Sequence, residues 1–431
     1  MTNRDIVEKL RKRIEEIQAK HSTSGKVDAS LPARTSEPAR GFGARDTSRV
    51  CHDIYPPVKP KVVRKQGFSI YTTTYGAGSI EWLCAAALET VSFLAACQDG
   101  TEKPGLSAGD QAVFLDIETT GLLGAGTVAF LTGFGKWKHS EFEVTQFFLD
   151  ERESEENMLT EIAAEIASSA VLVTFNGKSF DVPVLQTRFI INGMANLIQG
   201  FANQRHLDLY SLVRKLGRHP LYGMSLKASV ERFLGARRLD DIPGHMIPAL
   251  YFMYEQDRDI SVLDTVFKHN RMDILDMVGL LKAMGRMYLE GYERYEDAPA
   301  LAGVGKLYMR RGDLKIARRF LQASLSNVSP SRVEGAAGHR RLLATVMRKQ
   351  GDWDNAACVW KNLIGSNQAK YEDYLWLARY YEIRLGDIET SFQIVLQCIE
   401  FCRQARSCVP GPVMSRKRRL DKIISKTQVT S

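Results

Sequence analysis

Asp116 and Glu118 lie two residues apart in the run VFLDIETTGL. The apolar residues around them predict a β-strand, whose period of two turns both carboxylates to one face. Two acids held together in a partly buried place repel each other unless a cation neutralises them, and an all-oxygen donor set suits Mg²⁺ or Mn²⁺. An exposed strand end with two solvated acids is the alternative; the Thr119-Thr120-Gly121 turn that follows weighs against it. A third acid, Asp181, stands in VTFNGKSFD, where a strand ends at Asn176-Gly177 and Asp181 opens the next helix. There it can face the strand end carrying Asp116, although Asp is also an ordinary choice for a helix N-terminus. In FKHNRMDILDMVGLL, His269 and Asp273 are four residues apart on an apolar helix and share a face, with Asp276 close to it. Hydrolysis of a phosphodiester needs one cation to lower the pKa of an attacking water and a second, roughly 4 Å away, to stabilise the leaving oxygen. Asp116, Glu118, Asp181 and Asp273 are enough to hold two such ions. His269 titrates near neutrality and can orient or deprotonate the water, or it packs against its helix; Asp276 reads as structural or solvated.

The elements that must position these groups follow a recognisable order. AVFLDIE, TVAFLTGFGKW and FEVTQFFL are β-rich runs separated by turns, which predicts an antiparallel meander. MLTEIAAEIAS then reads as helix, VLVTF as a short buried strand, FDVPVLQTRFIING as helix and HLDL as strand. Beyond Met284 strand patterns stop. Gly312-Asp313, Gly351-Asp352 and Gly386-Asp387 each separate two helical patterns, at spacings of 39 and 35 residues that bracket tetratricopeptide length. About three degenerate repeats, or an irregular helical bundle, account for that pattern.

The chain has 431 residues, too many for one ordinary core, and is 44% hydrophobic and 25% charged. No apolar run is long enough to span a bilayer, so no membrane partner is expected. The first twenty residues lack the apolar centre and cleavage site of a secretory signal, and cytoplasmic localisation is expected. Seven cysteines without a CxxC pair suggest neither a disulfide framework nor a zinc ribbon. Cys398, Cys402 and Cys408 cluster, and buried free thiols or a metal site are the two readings of them. A net charge of +8 raises the prospect of a polyanionic partner. No GxxxxGK[ST] occurs, which sets aside a P-loop nucleotide enzyme. The expected organisation is an amphipathic helix over 1–20, a disordered linker over 21–54 and a lead-in segment over 55–110. A catalytic domain follows over 111–288, then a tetratricopeptide-like helical region over 298–405 and a basic tail over 406–431.

DIETTG, NGKSFD and HNRMD together resemble the three-motif pattern of DEDD-type 3′-to-5′ exonucleases over about 175 residues. HLDLYSLVRKLGRHPLYGMSLKASVERFLG is similar to segments of proofreading exonuclease domains of B-family polymerases. With DDIPGHMIPALYF added, the combination resembles the YprB-like bacterial family, whose members often carry a helical repeat after the core. The resemblance implies a ribonuclease-H-like α/β core with a mixed sheet, followed by an all-α repeat domain. It also implies a metal-dependent 3′–5′ exonuclease using two Mg²⁺ or Mn²⁺ ions on DNA or RNA, with Asp116, Glu118, Asp181 and Asp273 as ligands. One DEDD branch has Tyr four residues before the last Asp and the other has His five before it. Here His269 stands at the Tyr spacing, which leaves open which group orients the water. The alternative is a nucleic-acid-binding or scaffold protein of weak or lost turnover that recruits a protein partner through its helical repeats. Thr119, Asn176, Lys178 and His206 are candidates for touching substrate, and Asp208 either lines the rim of the site or caps the helix after it.

Overall fold

The computed structural model of the chain describes residues 59–75, 111–121, 124–138, 141–199, 201, 204–217, 219, 222–238, 241–289, 291–292, 295–328 and 336–430. The expected helix over 1–20, the linker over 21–54 and the apolar run Ile80–Cys97 lie outside these residues. By their contacts the described residues divide into two units, one running to Leu289 without 214–220, the other made of 214–220 and everything after Leu289.

The first unit is built on a seven-stranded mixed sheet of order β1-β2-β5-β4-β3-β6-β7. Strands β3 (Ala112–Thr119), β4 (Ala129–Lys138) and β5 (Glu141–Leu149) form the expected antiparallel meander. Strands β6 (Val171–Thr174) and β7 (Arg205–Asp208) then add parallel to β3, as alternation of helix and strand requires. This is a ribonuclease-H-like arrangement followed by an all-helical region. The lead-in contributes more than its position suggests: β1 (Lys61–Lys65) and β2 (Phe68–Tyr75) form a hairpin that extends the sheet beyond β5. β2 has buried Phe68, Ser69, Thr73 and Tyr75, whereas β1 at the sheet edge is exposed throughout. Edge Lys61, Arg64 and Lys65 suit a strand that must not recruit another.

Helices α1 (Glu155–Ala167), α2 (Asp181–Ile191), α3 (Leu209–Lys215), α4 (Leu226–Leu234), α5 (Ile247–Asp257) and α6 (Asp264–Leu289) complete that unit or, for the end of α3, lead out of it. One core joins Leu115 and Ile117 of β3, Phe130 of β4 and Phe148 of β5 to Met158, Leu185 and Tyr251 on the helices. Phe130 stacks on Tyr251 with ring centroids 4.1 Å apart. The burial of these large side chains, each worth roughly 1.5–3 kcal/mol, fixes which face of β3 turns inward.

The second unit pairs helices around the GD turns: α7 (Ala298–Arg311) with α8 (Leu314–Ser326), α9 (Ala337–Lys349) with α10 (Trp353–Gly365), and α11 (Tyr371–Tyr380) with α12 (Ile388–Gln404). Gly312, Gly351 and Gly386 hold φ of 90°, 84° and 71°, the left-handed conformation that ends a helix, and the aspartate after each begins the next one. A π-helical turn, Tyr381–Leu385, stands between α11 and the last of these glycines. The basic tail is helix α13 (Gly411–Thr430), which packs on α12 and buries Val413 and Leu420. Cys398 and Cys402 are buried free thiols on α12, while Cys408 is exposed. Burial, followed by the neighbouring Cys402, pushes the Cys398 thiol up to about 12. No helix among the described residues is long and apolar enough to cross a membrane.

Candidate active site

Asp116 stands on β3, an inner strand of the sheet between β4 and β6. Across the ladder it pairs with Gly133 of β4, which pairs in turn with Gln146 of β5, so the three residues form one row. The long helix α6 crosses this row at Gly133. A Cβ there would lie 2.2 Å from Asn270 Oδ1 and 2.6 Å from Ile274 Cδ1, and one at Gly135 would lie 2.4 Å from Ile274 Cγ2. The two glycines of TGFGKW therefore make the saddle in which α6 rests. Asn270, wholly buried, uses the closeness: its Nδ2 donates to the Asp116 carbonyl (3.1 Å) and carboxylate (2.8 Å), and its Oδ1 accepts from Gln146 Nε2 (2.8 Å). Gln146 also donates to the Phe267 carbonyl at 2.9 Å.

Asp181 begins α2, and its carboxylate accepts from the backbone N–H of Ile117, between the two acids of β3, at 3.2 Å. The loop before it is shaped by Asp208 at the end of β7. That carboxylate accepts from the backbone N–H groups of Asn176 (2.8 Å), Lys178 (3.3 Å) and Tyr210 (3.0 Å). Asp208 thus caps α3 and ties down the turn at Asn176, where φ is 67°. Of the two sequence readings, these bonds describe the capping one.

Asp273 is one turn beyond Asn270 and His269 on α6. Its carboxylate is engaged by Arg238, with Nη2 2.5 Å from Oδ1, and its Oδ2 is 3.6 Å from His269 Nε2. The same guanidinium reaches Asp276 Oδ2 at 2.5 Å and Asp241 Oδ2 at 3.4 Å. The other oxygen of Asp241 is 2.5 Å from His269 Nδ1, so Asp241 fixes the ring and leaves Nε2 toward Asp273. Asp276, 1% exposed, is Arg238's buried partner, the structural role the sequence suggests.

The acids influence one another electrostatically. Burial first, and then the charges of Asp273, Glu118 and Asp181, hold the Asp116 carboxyl well above its usual range, against the Asn270 hydrogen bond. Burial pushes Glu118 up to about 8; His269 opposes that rise, and Asp273, Asp181 and Asp241 add to it. Asp181 is raised to about 7 by burial, despite backbone hydrogen bonds, with Asp208 and Asp273 adding to the rise. Burial works against a charge on His269, but the Asp241 hydrogen bond and the negative charges of Asp273 and Glu118 carry it to about 9. Burial works to raise Asp241, but the His269 hydrogen bond together with the positive charges of His269, Arg238 and Lys227 holds it below its usual value.

An acidic cluster of oxygen donors with raised proton affinities is short of positive charge, and its donor chemistry fits Mg²⁺ or Mn²⁺. Among the described residues no three His, Cys, Asp or Glu side chains converge on one point closely enough to hold an ion as they stand. Of the candidate substrate contacts, Thr119 Oγ1 donates to the Gly121 carbonyl at 2.6 Å and His206 Nε2 is 2.8 Å from Thr174 Oγ1. Both side chains serve the local backbone or a neighbouring strand. Asn176 and Lys178 lie in the turn that Asp208 anchors. Sequence reasoning missed Asn270, Asp241 and Arg238. The first stands three residues before Asp273 and so shares its face, a signal that was present; Asp241 lies in the DDIPGHMIPALYF segment that carries the family resemblance, and Arg238 had no signal beyond charge.

Residues 113–285 match the profile of the RNase H superfamily, and this stretch is a domain of that superfamily. The chain is 29% identical to the uncharacterized protein YprB of Bacillus subtilis (strain 168) over 294 residues, 66% of this chain and 68% of YprB. Among solved structures it is similar to a family B DNA polymerase from the hyperthermophilic archaeon Pyrobaculum calidifontis. That match has 15% identity and a TM-score of 0.35, over 58% of this chain and 30% of the polymerase.

Proposed function

We propose that this RNase H superfamily domain is a divalent-metal-dependent nuclease, a 3′-to-5′ exonuclease acting on DNA or RNA, whose reacting groups are Asp116, Glu118, Asp181, Asp273 and His269. The observation that carries the reading is that Asp116, Glu118 and Asp181, from separated segments, are buried with raised proton affinities and each feels the charge of Asp273 on α6. The four acids would hold Mg²⁺ or Mn²⁺, which when bound supplies an activated water and stabilises the leaving oxygen.

The chain's own residues supply position and proton control. Asn270 holds the Asp116 carboxylate by a hydrogen bond whose other end is fixed to Gln146, so that acid cannot rotate away from its neighbours. The N–H of Ile117 does the same for Asp181. Asp241 holds the imidazole of His269 by Nδ1, presenting Nε2 on the side of the acids as the group that takes or returns a proton. With the carboxylates unneutralised His269 keeps its proton to about 9. Neutralising Asp273 and Glu118 removes part of what raises it, the Asp241 hydrogen bond remaining, and so brings the ring closer to acting as a base near neutral pH.

The test is cleavage of end-labelled single- and double-stranded DNA and RNA with and without Mn²⁺. Metal-stimulated shortening from the 3′ end is expected, and equal activity in Asp116→Ala/Asp181→Ala would overturn the reading. A second reading is favoured by the 2.5 Å ion pair between Arg238 and Asp273: the core binds nucleic acid without turning it over, and the helical unit recruits partners. It requires binding of nucleic acid with no metal-stimulated cleavage.

A further inference from the structure

Helices α9, α10 and α11 of the second unit bring together a set of arginines and indoles that the acidic site does not use. The Arg348 guanidinium lies 3.8 Å from the Trp376 ring centroid and 5.9 Å from that of Trp353. Arg379 lies 5.4 Å from Trp376, and Arg384, on the π-helical turn, 5.7 Å from Trp353. The two indoles are 6.4 Å apart. Three cations thus sit over two neighbouring rings.

None of the three guanidiniums makes an ion pair among the described residues. The carboxylates nearby are committed elsewhere: Asp352 to Arg318 at 2.8 Å, Asp354 to the Tyr380 hydroxyl at 2.6 Å, and Glu382 to Arg416 and Arg419. Arg348 Nε is buried and has no hydrogen-bond partner, and burial together with the charge of Arg379 lowers that residue's proton affinity. An arginine stacked on an aromatic face keeps its N–H edge available, and that edge matches a phosphate in two-point geometry. Positive charge that repels itself, is held rigidly and lacks a carboxylate calls for an anion from outside.

We propose that Arg348, Arg379 and Arg384, held in register by Trp353 and Trp376, bind the phosphate backbone of nucleic acid on the helical unit. The inference goes beyond the nuclease reading, because it requires nucleic acid as a ligand and not its hydrolysis. The rings serve as platforms for the guanidiniums, so the site reads phosphates and not bases. Sequence-independent, salt-sensitive binding follows.

The experiment is fluorescence anisotropy of a labelled 20-nucleotide oligodeoxythymidylate with the full chain in chelator, over a series of salt concentrations. Arg379→Gln/Arg384→Gln alters two exposed side chains, so the fold is kept. Each phosphate contact contributes about 0.7 to the log–log salt slope for a single strand, so the slope falls by about 1.4 and affinity at ~0.1 M salt falls about 25-fold. Arg379→Lys/Arg384→Lys restores most of the slope but not all of the affinity, because the charge returns without the two-point geometry. Unchanged affinity and slope in the Gln variant overturn the proposal. So does tighter binding of poly-glutamate than of the oligonucleotide, if the Gln variant abolishes it, since that assigns the patch to an acidic protein partner. Mn²⁺-dependent cleavage, measured separately, decides the nuclease reading, and its absence leaves this binding result intact.

Discussion

Replacing Asp181 by Asn removes one of the charges that the acidic site holds against repulsion, and the effect on stability has a definite sign and size. Burial, chiefly, lifts this carboxyl from 3.8 to about 7. Its folded-state pKa lies above its unfolded value, so its contribution to stability is fully present below about pH 4 and is lost as pH rises through about 7. At about 1.36 kcal/mol per pKa unit, a rise of about 3 units makes the loss about 4 kcal/mol. Glu118, raised to about 8, and His269, raised to about 9, act in the same direction over neighbouring ranges. The metal-free protein therefore loses stability from pH 4.5 to 8. Asn has nearly the same shape, keeps an oxygen for the Ile117 N–H, and carries no charge. Asp181→Asn is expected to stabilise the metal-free protein by up to about 4 kcal/mol at pH 8 and by far less at pH 4.5. It also removes most of the stabilisation that Mn²⁺ gives the wild type. Hydrogen exchange of a peptide spanning 112–119 reads the unit that holds the site, free of the helical unit, in chelator and in Mn²⁺ at both pH values. An equal effect of the substitution at both pH values, or a wild type whose protection is flat between them, would refute the reasoning.

Gly133→Ala forces a Cβ into the space of Asn270 Oδ1 and Ile274, and is expected to cost about 1–3 kcal/mol as an overpacked contact. It also weakens Mn²⁺ binding by moving α6, with calorimetric titration as the check. Arg238→Met strands Asp276 as a buried unpaired charge and is expected to lower stability at pH 8 by about 3–5 kcal/mol in urea unfolding, whereas Arg238→Met/Asp276→Leu recovers most of that loss. Gly351→Ala places a side chain at φ 84° and is expected to cost about 1–2 kcal/mol, read as a lower unfolding midpoint by circular dichroism at 222 nm, with Mn²⁺ binding unchanged.

Local pattern was enough to identify the elements. Alternation in VFLDIE made a strand and put Asp116 and Glu118 on one side of it, and the GD pairs ended three helices because glycine accepts the left-handed conformation there. The acids at 116, 118, 181 and 273 were readable as candidates because the first two alternate on a strand, Asp181 opens a helix and Asp273 follows His269 by one helical turn. How they are held was not readable. Asn270 is 154 residues from Asp116 and 124 from Gln146, and only sheet order and the crossing of α6 over two glycines bring them together. Arg238 and Asp241 reach Asp273 and His269 from a segment whose charges look like surface, and β1 and β2 join the sheet through pairing with a strand about 75 residues further on. The basic tail buries Val413 and Leu420 although lysine and arginine dominate its composition. Backbone preference and periodicity act over a few residues and are written in the sequence directly. Which carboxylate is neutralised, and by what, depends on distances across the chain that only the packed structure sets.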